Sequence, residues 1–143
     1  MGCTHYWERE QYLSEVLFQT VIGELQKIFA DIDAALAGRE GEGTPYLSLD
    51  EIVFNGVRGQ HCEDFKIRRV GFPREGGTKI YSFCKTEKMP YDLCVKITLI
   101  ILKHYFEESL QVTSDAKDGD WQDARDRSQR CLGYGNEFLL DSK

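Results

Sequence analysis

The run Leu93 to Leu102, LCVKITLIIL, is apolar except at Lys96 and Thr98. A helix of this composition has no wide polar face, so it implies burial on more than one side and a place at the centre of the fold. Pro90 suits the first turn of that helix, where its fixed φ helps and its missing N–H is not needed. The longest apolar stretch, Ile97 to Leu102, is interrupted by Thr98 and followed by Lys103. That is far short of the roughly 20 apolar residues needed to cross a bilayer, so no transmembrane helix is expected.

A second helix is announced by apolar residues at Leu13, Val16, Leu17, Val21, Leu25, Ile28, Phe29, Ile32 and Leu36. The stripe has helical spacing over about seven turns and predicts one buried face, with Gly38 as its stop and Gly41 to Pro45 as a loop. His5-Tyr6-Trp7 has the aromatic bias of a short strand ahead of it. Glu51 to Phe54, Phe65 to Val70 and Lys79 to Phe83 read as strands, separated by Asn55-Gly56 and by Pro73 to Gly77. Leu110 to Thr113 reads as another strand, and Asp118 or Asp120 caps a last helix through Trp121, Ala124, Ser128 and Cys131, stopped near Gly133. The order β-α-β-β-β-α-β-α predicts an α+β fold: a mostly antiparallel sheet of about four or five strands packed by two or three helices. At 143 residues a single domain spanning 1–143 is expected.

The formal net charge of -6 argues against a general nucleic-acid coat. Its distribution is uneven. Glu8 to Glu40 holds three basic and seven acidic residues, and Glu107 to Lys143 holds five and nine. Between Val57 and Lys88, eight basic residues (Arg58, Lys66, Arg68, Arg69, Arg74, Lys79, Lys85, Lys88) face four acidic ones. Acidic helical ends therefore flank a basic, strand-rich middle. The start, Met1 to Tyr6, lacks the basic and apolar regions of a secretory signal, and Tyr6 breaks the myristoylation pattern. The cysteines, Cys3, Cys62, Cys84, Cys94 and Cys131, form no C-x-x-C pair. Neither a paired-cysteine zinc site nor a secreted disulfide scaffold is expected, and a reducing cytoplasm fits.

Several constellations could carry chemistry. Phe83-Cys84-Lys85-Thr86 runs from a strand end towards a helix start, where a lysine, a hydroxyl and backbone donors can converge on a phosphate. No glycine-rich P-loop accompanies it, so nucleoside-triphosphate hydrolysis is not supported. The competing reading is a solvated turn carrying Lys85 and Lys88. His61-Cys62-Glu63 offers an acid-base pair and half of a deaminase signature, but Pro90 is followed by Tyr91-Asp92-Leu93-Cys94 rather than C-x-x-C. Cys84 becomes a nucleophile only if a histidine lowers its pKa; otherwise it is a small core residue. Asp115, Asp118 and Asp120 miss the EF-hand spacing and suit helix capping better. His104 is expected to be structural. His5, Tyr6, Trp7, Asn55, Tyr91 and Asp92 together suit a base or ribose, through stacking and amide or carboxylate hydrogen bonds, although Trp7 and Tyr91 can equally be core aromatics.

The start through Trp7, Phe54-Asn55-Gly56, His61 with Glu63 and Phe65, Phe83-Cys84-Lys85-Thr86 with Pro90-Tyr91-Asp92, Ser114-Asp115, and Trp121 with Ala124 and Arg125 span nearly the whole chain. In these motifs the chain resembles a family of small orphan proteins found in bacteriophage and bacterial genomes. It departs from the family at Cys3, where tyrosine is usual, and at Ala116, where glycine is frequent. The resemblance transfers no activity; it implies a small phage-borne protein in the cytoplasm of a bacterial host. Phages blunt host defence with small proteins, one class of which sequesters cyclic or ADP-ribose-derived nucleotide messengers without cutting them.

The expected protein is an anti-defence sponge, a homo-oligomer that holds an anionic nucleotide-like molecule without cleaving it. The expected ligand residues are His5, Tyr6, Trp7, Asn55, Lys85, Thr86, Tyr91 and Asp92, with Arg58, Arg68 or Arg69 as helpers. No metal, cofactor, nucleic-acid polymer or membrane is expected to take part. The alternatives are a small hydrolase or phosphodiesterase using His61, Glu63 and Cys84, and an interaction protein that blocks a host factor through its acidic helices.

Overall fold

The structure, a computed structural model, describes residues 3 to 142; Met1 and Gly2 of the opening motif and Lys143 lie outside the described residues. In chain order the elements are β1 (Thr4–Glu10), α1 (Glu15–Asp31), β2 (Leu36–Ala37), β3 (Tyr46–Leu47), β4 (Glu51–Gly56), β5 (Phe65–Arg68), β6 (Lys79–Lys85), α2 (Asp92–Phe106), β7 (Leu110–Ser114) and α3 (Gln122–Leu132). This is an α+β fold with antiparallel pairing throughout the described strands.

The strands divide into two sheets. One runs β6-β1-β7; in the other β4 pairs with β2, β3 and β5. The cause is the first strand. β1 takes β6 along its full length, Thr4 opposite Lys85 to Glu10 opposite Lys79, and takes β7 on its other edge, with His5 opposite Ser114. Pairing across such sequence separations leaves no local signal, which is why the sequence predicts one antiparallel sheet where the structure has two.

The apolar run is buried as its composition demands. From Cys94 to Leu102 every residue of α2 is buried, and the helix packs against α1, α3 and β7. Its two polar interruptions are both satisfied. Thr98 Oγ1 donates to the Cys94 carbonyl at 2.7 Å, and Lys96 Nζ donates to the Asp120 carbonyl at 2.9 Å and to Asp123 Oδ1 at 2.8 Å. Aromatic contacts tie the two sheets together: Trp7 of β1 packs 4.9 Å from Phe65 of β5, which packs 5.1 Å from Phe54 of β4.

Two expected boundaries differ. α1 starts where Ser14 accepts from the Leu17 N–H, but it ends at Asp31 because Ile32 turns to extended backbone (φ -92°, ψ 128°). Leu36, at helical spacing in the sequence, instead pairs with Gly56 as part of β2. Gly38 is therefore not a helix stop; a Cβ there would lie 2.6 Å from the Thr44 carbonyl oxygen, so the loop needs glycine for close approach. Asn55-Gly56 ends β4 rather than separating strands.

Leu99 is fully buried in the middle of α2. A Leu99→Ala variant is expected to lose about 2–5 kcal/mol of stability by lost transfer energy and residual cavity. Urea unfolding followed by circular dichroism measures this.

Candidate functional site

β1 alternates. Cys3 just before it, then His5, Trp7 and Arg9, point inward and are buried, while Tyr6 and Glu8 point outward. Since residues opposite one another across a ladder share a face, the register places Ser114 beside His5 on the inner face. It places Phe83 and Thr113 beside Tyr6, and Tyr81 and Gln111 beside Glu8, on the outer face.

The inner face holds a polar centre beneath β1. His5 is completely buried. Its Nε2 lies 2.7 Å from Asp92 Oδ1 and its Nδ1 2.7 Å from Ser114 Oγ. A carboxylate only accepts, so Nε2 carries a proton in this arrangement, and the Ser114 hydroxyl completes the ring at Nδ1. Thr86 Oγ1 donates to the same Asp92 oxygen, and Lys96 Nζ is 3.5 Å from the other. Burial pushes the Asp92 carboxyl up, but the contacts with His5, Thr86 and Lys96 outweigh this and hold it below the usual range. Cys3 Sγ lies 3.8 Å from His5 Nε2, and burial together with the nearby Asp92 charge raises its pKa. Trp121 closes one side, its ring 5.0 Å from the imidazole in an edge-on arrangement. Segments widely separated in the chain thus converge on one imidazole.

The outer face is different in kind. Along β6, Lys79, Tyr81, Phe83 and Lys85 are exposed and alternate with inward-facing Ile80, Ser82 and Cys84. Tyr81 is 61% exposed and Phe83 56%. Both pack against Tyr6, at ring separations of 6.2 and 6.4 Å. Tyr81 borders two open cavities. One, of about 540 Å³, lies over the sheet and is lined by Tyr6, Glu8, Gln111 and Thr113. The other, of about 450 Å³, lies between β6 and β5 and is lined by Lys66, Arg68, Phe72 and Phe83.

The expected ligand residues therefore separate. His5, Thr86 and Asp92 meet in the buried centre. Tyr6 and Lys85 face outward; the Tyr6 hydroxyl donates to Asp115 at 3.0 Å, and Lys85 pairs with Glu87 at 3.0 Å, a contact that raises the lysine pKa. Lys85 and Thr86 do not converge on one phosphate: Lys85, the last residue of β6, is exposed and pairs with Glu87, while Thr86 just after the strand is buried and bonded to Asp92. Trp7 and Tyr91 are core aromatics. Asn55 and Tyr91 staple the 57–64 loop: Asn55 Nδ2 donates to the Cys62 carbonyl and to Asp64, its Oδ1 accepts from the N–H groups of Gly56 and Cys62, and Tyr91 donates to the Glu63 carbonyl at 2.6 Å.

The residues of the enzyme alternative are also accounted for. Cys84 is buried, its thiol donates to the Glu63 carbonyl, and burial pushes its pKa well above the usual range, so it is not an activated nucleophile. His61 and Glu63 line an open concavity of about 510 Å³ with Arg58. There His61 Nδ1 accepts from the Gly59 N–H and Glu63 accepts from the Lys85 N–H. Of the helper arginines, Arg58 pairs with Glu42 and Arg69 donates to the Leu13 carbonyl, leaving Arg68 as the one beside the aromatic face.

Sequence reasoning missed Ser114, Lys96, Tyr81 and Phe83 as site residues. The last two were legible: aromatics two apart within a strand share a face. Ser114 was not, since its role depends on lying opposite His5. Also missed was Arg9, whose buried guanidinium donates to the carbonyls of Arg68, Arg69 and Gln11, with a pKa lowered by burial to about 10. No protein-family model, curated protein or solved structure matches the chain.

Removing the Ser114 hydroxyl leaves His5 Nδ1 buried without a partner. Ser114→Ala is expected to cost about 1–3 kcal/mol, whereas Thr113→Ala next to it, on the outer face, should stay within about 0.5 kcal/mol of the parent. Paired denaturation curves separate the two.

Proposed function

We propose that this protein binds a nucleotide-type ligand on the outer face of the β6-β1-β7 sheet and holds it without cleaving it. The observation that carries this reading is the exposed Tyr81 and Phe83 pair, packed with Tyr6 and set between two open cavities, one bordered by Glu8, Gln111 and Thr113 and the other by Lys66, Arg68 and Asp64. An aromatic platform on an open sheet accepts the π-face of a base, and stacking is worth about 1–3 kcal/mol per base. Gln111 and Thr113 offer an amide and a hydroxyl to a base edge, and the Glu8 carboxylate can accept from a ribose hydroxyl or an exocyclic amine. Lys66 and Arg68, exposed on β5 at the opposite side of Tyr81, suit a phosphate, for which the guanidinium fork is the better match.

This assignment keeps the division of labour expected from the sequence, aromatic for the base and cationic for the phosphate, and moves it to side chains that solvent can reach. Holding without cutting is supported by the engagement of His61 and Glu63 with backbone N–H groups and by the protonated, buried state of Cys84. The finer reading, sequestration of a nucleotide-derived immune signal during phage infection, is an analogy with other small phage proteins, drawn from the phage-borne context that the resemblance implies.

The test is a thermal-stability panel of cyclic dinucleotides and cyclic ADP-ribose isomers, followed by denaturation and analysis of the recovered ligand. At least one member is expected to raise the melting temperature and to be recovered intact. Tyr81→Ala should weaken its binding by roughly 5- to 150-fold, the equivalent of the stacking energy, and Arg68→Ala should reduce the salt dependence. No response across the panel, or Tyr81→Ala binding as tightly as the parent, overturns the reading. A chemically altered ligand transfers attention to the His61 and Glu63 concavity.

A further inference from the structure

We propose that the buried centre beneath β1 is a metal site, in which Cys3 Sγ, His5 Nε2 and Asp92 Oδ1 bind one divalent ion of the zinc class. The three donor atoms lie within 4.8 Å of one another. They are the sulfur, nitrogen and oxygen ligands that zinc takes.

The backbone explains the grouping. Cys3 and His5 are two apart on an extended segment and so project to one side, while Asp92 is the first residue of α2. A tetrahedral zinc with ordinary bond lengths separates its sulfur and nitrogen ligands by about 3.6 Å and its nitrogen and oxygen ligands by about 3.3 Å. The Cys3 and His5 atoms stand at 3.8 Å, close to the first value. The His5 and Asp92 atoms, at 2.7 Å, must part by about 0.6 Å to reach the second.

Hydrogen bonding alone leaves one of these groups unexplained. Nε2 presents a single position, a proton or a lone pair, yet both Asp92 Oδ1 and Cys3 Sγ are directed at it. A proton on Nε2 satisfies Asp92 and leaves the thiol without a good partner; an ion satisfies all three.

The surroundings resemble the outer shell of a metal ligand set. Ser114 Oγ holds the non-ligating His5 nitrogen, and Thr86 and Lys96 hold the Asp92 carboxylate. On binding, the Cys3 thiol proton leaves to solvent, and the ring proton moves from Nε2 to Nδ1, where Ser114 Oγ accepts it. The thiolate and carboxylate together balance the double positive charge. The fourth coordination position falls to water, reaching the ion past the 14% exposed Asp92 side chain. A C-x-H pair at the start of a strand with its third donor 87 residues beyond the histidine has no spacing signature, so the expectation of no metal, which rests on the absence of paired cysteines, of EF-hand spacing and of a complete deaminase signature, does not bear on it.

The full chain is prepared with zinc in the growth medium, its metal content is measured by mass spectrometry, and the metal is then exchanged for Co²⁺. The expected result is one equivalent per chain, a sulfur-to-cobalt charge-transfer band, and a melting temperature that falls on chelation and recovers with added Zn²⁺. Cys3→Ser and Asp92→Asn should lose the band, and Cys62→Ser should keep it. A folded parent with no metal and no cobalt band overturns the site, and so does a Cys3→Ser variant that keeps the band. The parent measurements require no variant to fold, and none of these outcomes depends on the nucleotide panel.

Discussion

A buried imidazole must be hydrogen-bonded at both nitrogens or pay a penalty comparable to losing the bond outright, and His5 meets this demand with groups from two distant parts of the chain. Ser114 comes from the end of β7 and Asp92 from the start of α2. Because β1 is the middle strand of its sheet, the polar centre sits where strand pairing, the mouth of the central helix and the Trp121 ring all meet. Lys96 extends the network from α2 to Asp120 and Asp123 at the entrance to α3. The fold's layers are thus joined by directional contacts as well as by apolar burial.

Strand alternation then sorts the chemistry. The same seven residues of β1 contribute a buried histidine and tryptophan to one side and a tyrosine and glutamate to the other. The inner side has fixed donors and little access; the outer side has access and few fixed donors. One suits an ion or a structural network, and the other suits a planar ligand that gains most of its binding from surface contact. Treating His5-Tyr6-Trp7 as one binding triplet could not separate these roles, since the residues share a motif and not a face.

How much could be read in advance follows from the range of each interaction. The apolar run of α2 and the Gly133 stop of α3 depend on local chemistry, and both lie where the sequence puts them; Gly133 adopts φ 85°, the conformation a helix-ending glycine supplies. The end of α1 is not legible in the sequence, because Leu36 keeps helical spacing after the backbone has become extended. The basic middle was legible as a charge count, but which cations flank the aromatic face was not. Lys66 and Arg68 reach it only because β5 lies alongside β6, while Lys85 pairs with its neighbour Glu87.

The pairing of β1 also sets an order of events. Thr4 finds its partner at Lys85, and His5 finds Ser114. In a chain made from its amino end, the first strand emerges long before either neighbour; Trp7 can meet Phe65 once β5 has been made, but His5 has no Ser114 partner until β7 has been synthesised. Loop-closure entropy opposes such distant contacts until they are rewarded together. The sheet and its buried centre must therefore close late and as one unit, leaving the newborn amino-terminal segment exposed to chaperones or proteases during most of its own synthesis.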